Sequence, residues 1–137
     1  MGVVVYDSDV LIGFLGAYDA NHDRAVDCVR ASLAPGTRRL LCAVNLSEIL
    51  IGPVRSGTDE HVEQMLAQFA VEIIVVDRAL AERAAAVRAR TNLKLPDAYA
   101  LATAIHAETR GWKDVRLASF DEAVLRAHAE LHPRDGG

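Results

Sequence analysis

The chain predicts an α/β fold: a single domain in which a mostly parallel sheet of four to five strands is sandwiched by helices. Three observations carry that prediction. Short β-rich runs, VVVY, RLLCAV, VEIIVV and VRLAS, alternate with stretches of helical spacing. The chain has 137 residues, enough for one compact domain with its own core. No internal repeat, low-complexity run or linker divides it.

The elements follow in order. VVVY opens as a strand, and Asp7 comes directly after it. Residues 8–16 form a first helix, weakened by Gly13. Residues 20–33 form a second, with Ala25, Val26, Val29 and Leu33 on one side, stopped by Pro35-Gly36. Residues 39–44 make a second strand. The next helix starts near Asn45 or Ser47, both good caps, and ends between Pro53 and Gly57. Thr58 caps a helix whose Val62, Met65, Leu66 and Phe69 keep i, i+3, i+4, i+7 spacing. Residues 71–76 are the clearest strand, after which Asp77 caps an Ala- and Arg-rich helix to about Arg90. Pro96 sits at a helix start, with Ala98, Leu101, Ala102 and Ile105 as an inward stripe and Arg110-Gly111 as the stop. Residues 115–119 are a fourth strand and Asp121 to about Leu131 the last helix. Residues 1–131 are thus the expected domain and 132–137 a flexible tail.

Composition narrows the classes. Apolar residues make up 51% and charged residues 25%, an ordinary balance for an ordered domain. No apolar run reaches membrane length, and MGVVVYDSD shows neither a signal-peptide n-region nor a myristoylation pattern, so a cytoplasmic protein is expected. Cys28 and Cys42 lack metal spacing and read as reduced thiols. A net charge of −4 argues against nonspecific coating of nucleic acid, though not against a nuclease with a local basic rim.

Four acids have a common placement. Asp7 follows strand one, Glu48 and Asp97 lie in first turns of helices, and Asp121 follows strand four. In parallel α/β sheets the ligand edge is the one at the carboxyl ends of the strands, so these distant residues can meet there. Converging carboxylates repel unless something positive joins them. A hard cation with oxygen ligands, Mg²⁺ or Mn²⁺, suits that need, and no His or Cys cluster offers a zinc alternative. A cation that keeps water bound supports phosphodiester hydrolysis without a covalent intermediate, and one or two ions fit the same ligands.

The strand ending in Asp7-Ser8 before Val10-Leu11-Ile12, then Ser47-Glu48, Pro96-Asp97-Ala98 and Ser119-Phe120-Asp121, form an ordered set. In order, separation and total length the chain resembles a PIN domain, and within that superfamily the toxin of a VapBC-type toxin–antitoxin pair. The resemblance implies a Mg²⁺- or Mn²⁺-dependent endoribonuclease with Asp7, Glu48, Asp97 and Asp121 as its acidic, metal-holding site. It implies that Ser119, like Ser8, arranges the site through its hydroxyl. It also implies an RNA substrate, a homodimer and a cognate antitoxin whose C-terminal arm occupies the site. Asp9 departs from the common pattern, where Asn, Ser or Thr is more usual. It either adds charge near the metal or faces solvent, and Glu122 reads as a solvated first-turn residue.

A polyanionic substrate needs cations, and Arg38, Arg39, Arg55, Arg88, Arg90, Lys94, Arg110, Lys113 and Arg116 are the candidates. Most read as ordinary solvated charges, with Lys94, just ahead of Pro96-Asp97, the best single choice. Trp112 reads as a packing residue, while Tyr99 can face either way. His106 reads as packing or surface. His128 and His132 have i, i+4 ligand spacing but only Asp135 as a third group, so they read as surface histidines. Two rival functions use the same acids. VVVYDSDVL imitates the nucleophile strand of haloacid-dehalogenase-like phosphatases, with Asp7 as nucleophile, but Val10-Leu11 replaces the usual Gly-Thr. The other rival is a non-enzyme: a receiver-like domain, whose adjacent acids and late-strand Lys are not properly placed in this chain, or an inactive PIN fold kept for partner binding, although none of the four acids is missing.

Overall fold

The computed structural model describes residues 2–131. The expected tail, with His132 and Asp135, lies outside them. Strands β1 (Gly2–Tyr6), β2 (Thr37–Cys42), β3 (Val71–Ile74) and β4 (Val115–Ala118) form one sheet in the order β3-β2-β1-β4. Every pairing is parallel. The expected four to five strands are thus four among the described residues. β1 lies inside the sheet, with Val5 opposite Leu40 on one side and Leu117 on the other.

Helices cover both faces, so the strands are apolar in both directions. Val3 and Val5 of β1, with Leu40 and Leu117, pack against α5 (Arg78–Arg90), α6 (Leu95–Thr109) and α7 (Glu122–Leu131) through Leu80, Ala84, Leu101, Ile105 and Val124. Tyr6 and Leu41 face the other way, against α1 (Ser8–Leu15), α2 (His22–Ser32), α3 (Ala43–Ser56) and α4 (Asp59–Gln68) through Val10, Leu11, Val29, Ile49, Val62 and Leu66. The period-two alternation of β1 thus feeds two separate cores.

Three local differences from the sequence expectation have physical causes. Helix α3 starts at Ala43, straight off β2, rather than at an Asn45 or Ser47 cap. Ser47 instead bonds back to the Val44 carbonyl (2.6 Å), and Asn45 becomes a fully buried residue of the first turn. Thr58 precedes α4 without making a side-chain cap bond, whereas Asp77 caps α5 as expected, accepting from the Leu80 N–H at 2.8 Å. Helix α6 buries Ala100, Ala104 and Ala107 as well as the expected stripe. Its alanines admit close neighbours on several sides, as in a helix that is apolar most of the way round.

Candidate active site

All four strands run the same way, so their carboxyl ends share one edge. Asp7 is fixed there by its backbone: its N–H donates to the Ala118 carbonyl (2.8 Å), extending the β1–β4 ladder by one residue. Its side chain caps α1. Oδ1 accepts the Ser8 N–H (2.9 Å), and Oδ2 accepts the Ser119 hydroxyl (2.8 Å). Asp7 is only 1% exposed. Ser119 also accepts the Asp121 N–H through Oγ (3.1 Å), so one hydroxyl ties the β4–α7 turn to Asp7.

Asp97 arrives from the first turn of α6, at the same edge as Asp7 and close enough for its charge to act on it. Their electrostatics reflect the crowding of acids at this edge. Burial, then the charges of Asp9 and Asp97, push Asp7 up to about 7, against the lowering effect of the Ser119 and Ser8 bonds. Burial, then the Asp121 charge, also raise Asp97, with Glu48 and Asp9 adding to the rise. The pair therefore titrates as a unit.

Glu48, one turn into α3, takes the Ser8 hydroxyl on Oε1. Asn45 lies one turn before it on the same helix face. Its Nδ2 donates to Ser8 Oγ (3.0 Å), to Glu48 Oε1 (3.4 Å) and to the Pro96 carbonyl (3.1 Å). It thus joins α3 to the start of α6, beside Asp97. Asp121 caps the last helix, its Oδ1 accepting the Ala123 N–H at 2.9 Å. Asp9 does not face solvent. Its Oδ2 accepts the Phe120 N–H (2.9 Å), and burial raises its carboxyl above the ordinary range. Its Oδ1 is buried with no hydrogen-bond partner.

The sequence-predicted acids are therefore at one edge, with Asp7, Glu48, Asp9 and Asp121 all within electrostatic reach of Asp97. They do not close into a ready ligand group: among the described residues no three His, Cys, Asp or Glu side chains converge as metal donors. Glu48, Asp9 and Asp121 are each turned toward a protein O–H or N–H. The donor set nevertheless fits a hard cation. It is all oxygen, it includes a buried orphan oxygen on Asp9, and its crowding pushes Asp7 up to about 7.

Two participants escaped sequence reasoning. Asn45 reads as a cap, although its i, i+3 relation to Glu48 is the signal that finds it. Arg24 of α2 lies over the Phe120 ring, 4.5 Å from its centroid, a contact between remote segments with no sequence signature. Of the basic candidates, Arg38 and Arg39 sit near the amino end of β2, at the opposite edge. Arg38 is paired with Glu72 and lies over Trp112, 3.5 Å from its centroid. Arg39 donates to the Phe69 (2.6 Å), Ser32 and Thr37 (both 2.9 Å) carbonyls. Lys94 is exposed at the cap of α6, three residues ahead of Asp97. His106 lines a small cavity of about 130 Å³ with Arg38, Arg110 and Trp112, and His128 bonds Glu108 at 2.8 Å. Tyr99 and Trp112 pack against the core, Glu122 is exposed, and Cys28 and Cys42 are free thiols.

Comparison with known proteins agrees with this geometry. A search of curated proteins found no match. Among solved structures, one described as a toxin-antitoxin complex from Klebsiella pneumoniae is similar over 88% of this chain and 87% of that one, with a TM-score of 0.64 and 24% identity. The PIN domain family model matches residues 4–131, nearly the whole chain. With its parallel four-stranded sheet and acids at the strand ends, the chain belongs to the PIN domain family.

Proposed function

We propose that this protein is a metal-dependent endoribonuclease and the toxin of a toxin–antitoxin pair. The observation that carries the nuclease reading is the buried Asp7 carboxyl, held between the Ser8 N–H and the Ser119 hydroxyl and pushed up to about 7 by burial and by the Asp9 and Asp97 charges. A fold gains nothing from burying a carboxyl among other acids, whereas a cation-binding site needs that density of oxygen. Asp7 and Asp97, with Glu48 and Asp121, would hold Mg²⁺ or Mn²⁺. When bound, such an ion supplies an activated water and charge stabilisation for in-line attack on a phosphodiester.

The chain's own residues set the stage. Ser119 and the Ser8 N–H hold both oxygens of Asp7, fixing the direction of its lone pairs. Ser8 and Asn45 orient Glu48, and Asn45 also ties that helix to the turn carrying Asp97. Helix N-termini, those of α1, α3 and α6, bring positive dipole ends to the acids. The phosphatase reading asks Asp7 to attack as a nucleophile, yet both its oxygens already accept hydrogen bonds. It also belongs to a different fold family.

The toxin reading draws on the family and on the structural likeness to a toxin-antitoxin complex. An apolar groove of about 520 Å³, lined by Ile12, Leu15, Ile49, Ile51 and Pro53, opens beside Glu48 and suits an antitoxin arm reaching for the site. A cytoplasmic homodimer completes the reading, and no helix among the described residues is long and apolar enough to cross a membrane. The test is expression in a bacterial host. Growth should stop, and a co-expressed neighbouring gene product should relieve it. Arrest that persists in the Asp7→Asn protein, or no arrest at all, counts against the toxin.

A further inference from the structure

The acidic edge carries a cation on its rim. Arg24, in the first turn of α2, lays its guanidinium over the Phe120 ring. Phe120 stands between Ser119 and Asp121, and its N–H is bonded to Asp9. The cation–ring contact is therefore built onto the same turn that carries the site. Arg24 is exposed, and its Nη1 donates to Asn21 Oδ1 at 3.2 Å. Among the described residues it has no carboxylate ion pair. A guanidinium offers five N–H donors in one plane. The ring lies beneath the guanidinium carbon, 4.5 Å from it, and the Asn21 bond leaves most of the donors open.

A nucleic acid approaching this cluster of carboxylates is repelled unless a cation receives its backbone. Arg38 and Arg39 lie at the other edge and are committed to Glu72 and to backbone carbonyls. We propose that Arg24, seated over the Phe120 ring, binds a backbone phosphate of the RNA strand flanking the one that is cleaved. The inference rests on the ribonuclease reading above. Arg24 touches the substrate, and Phe120 is a positioning residue acting through it. Such a contact sets register and affinity while carrying no base preference.

The test measures binding of a labelled single-stranded RNA to Asp7→Asn protein, which should not consume it, over a range of salt concentrations. Adding Arg24→Ala is expected to weaken binding to all sequences alike. It should also flatten the slope of log affinity against log salt by about 0.7, the value for one phosphate contact on a single strand. Arg24→Lys should keep the slope and recover part of the affinity, and Phe120→Leu should keep the slope while losing affinity. In the otherwise native protein, Arg24→Ala should raise KM and leave kcat within about twofold. An unchanged salt slope in Arg24→Ala overturns the proposal, whatever happens to affinity. Should that variant fold poorly, the slope of Arg24→Gln decides the same question. Native protein that cleaves no RNA with any divalent ion overturns the ribonuclease reading instead, a separate outcome.

Discussion

Asp7 is 1% exposed and its carboxyl sits at about 7, against an ordinary 3.8. Between those values the folded chain holds a proton that the unfolded chain has released. Stability of the metal-free protein therefore falls as pH rises from about 4 through 7, and above that it has lost a contribution on the order of a few kcal/mol. Asp7→Asn removes the charge and keeps the shape. In chelator at pH 8 it should unfold at higher denaturant than the native protein, and at pH 4 the difference should shrink. Denaturant midpoints at the two pH values check this, and a variant less stable at pH 8 contradicts it. Asn45 has the opposite balance. Asn45→Ala leaves the Pro96 carbonyl and Ser8 hydroxyl without a buried donor, and should cost about 1–3 kcal/mol. Ser119→Ala should leave the fold nearly intact and reduce activity by roughly 10–100-fold, the usual loss when a group orienting a metal ligand is removed.

Most elements were legible because each announces itself locally. β1 alternates over two cores, Asp77 caps α5, and the β3 run is dense in β-branched residues. The start of α3 was not legible, because Asn45 and Ser47 are cap residues by propensity while tertiary packing recruits Asn45 for the site. β3 ends at Ile74, not Val76, since the edge strand loses its partner at Cys42 and Val75 is left 71% exposed. The acids were legible because strand ends and helix starts fix where a side chain can go. Their protein partners were not, because Ser119 to Asp7 and Arg24 to Phe120 join remote segments. One loop invites a test at this scale. Ala70, between α4 and β3, has φ of 53°, a left-handed conformation that disfavours a Cβ. Ala70→Gly should raise stability by about 0.5–1 kcal/mol, measured by denaturant unfolding. Destabilisation would mean that the Ala70 methyl has a packing role that outweighs the strain.

Charge is unevenly arranged over the molecule. The net charge is −4, the carboxylates gather at the carboxyl edge of the sheet, and Arg38 and Arg39 lie near its other edge. A molecule so arranged binds a polyanion only where a cation and a local basic rim overcome the acidic field. A divalent ion should therefore raise the melting temperature of the native protein, and Asp97→Asn should abolish most of that shift. If Asp7 and Asp97 hold the ion that cuts RNA, as proposed, the decisive experiment is cleavage of single-stranded RNA by purified native, Asp7→Asn and Asp97→Asn proteins, each verified as folded, with Mg²⁺ or Mn²⁺ and with chelator. Native protein is expected to cleave, to stop in chelator and to resume with the ion, while neither variant cleaves. Full cleavage in chelator, or by either variant, would contradict that role for Asp7 and Asp97.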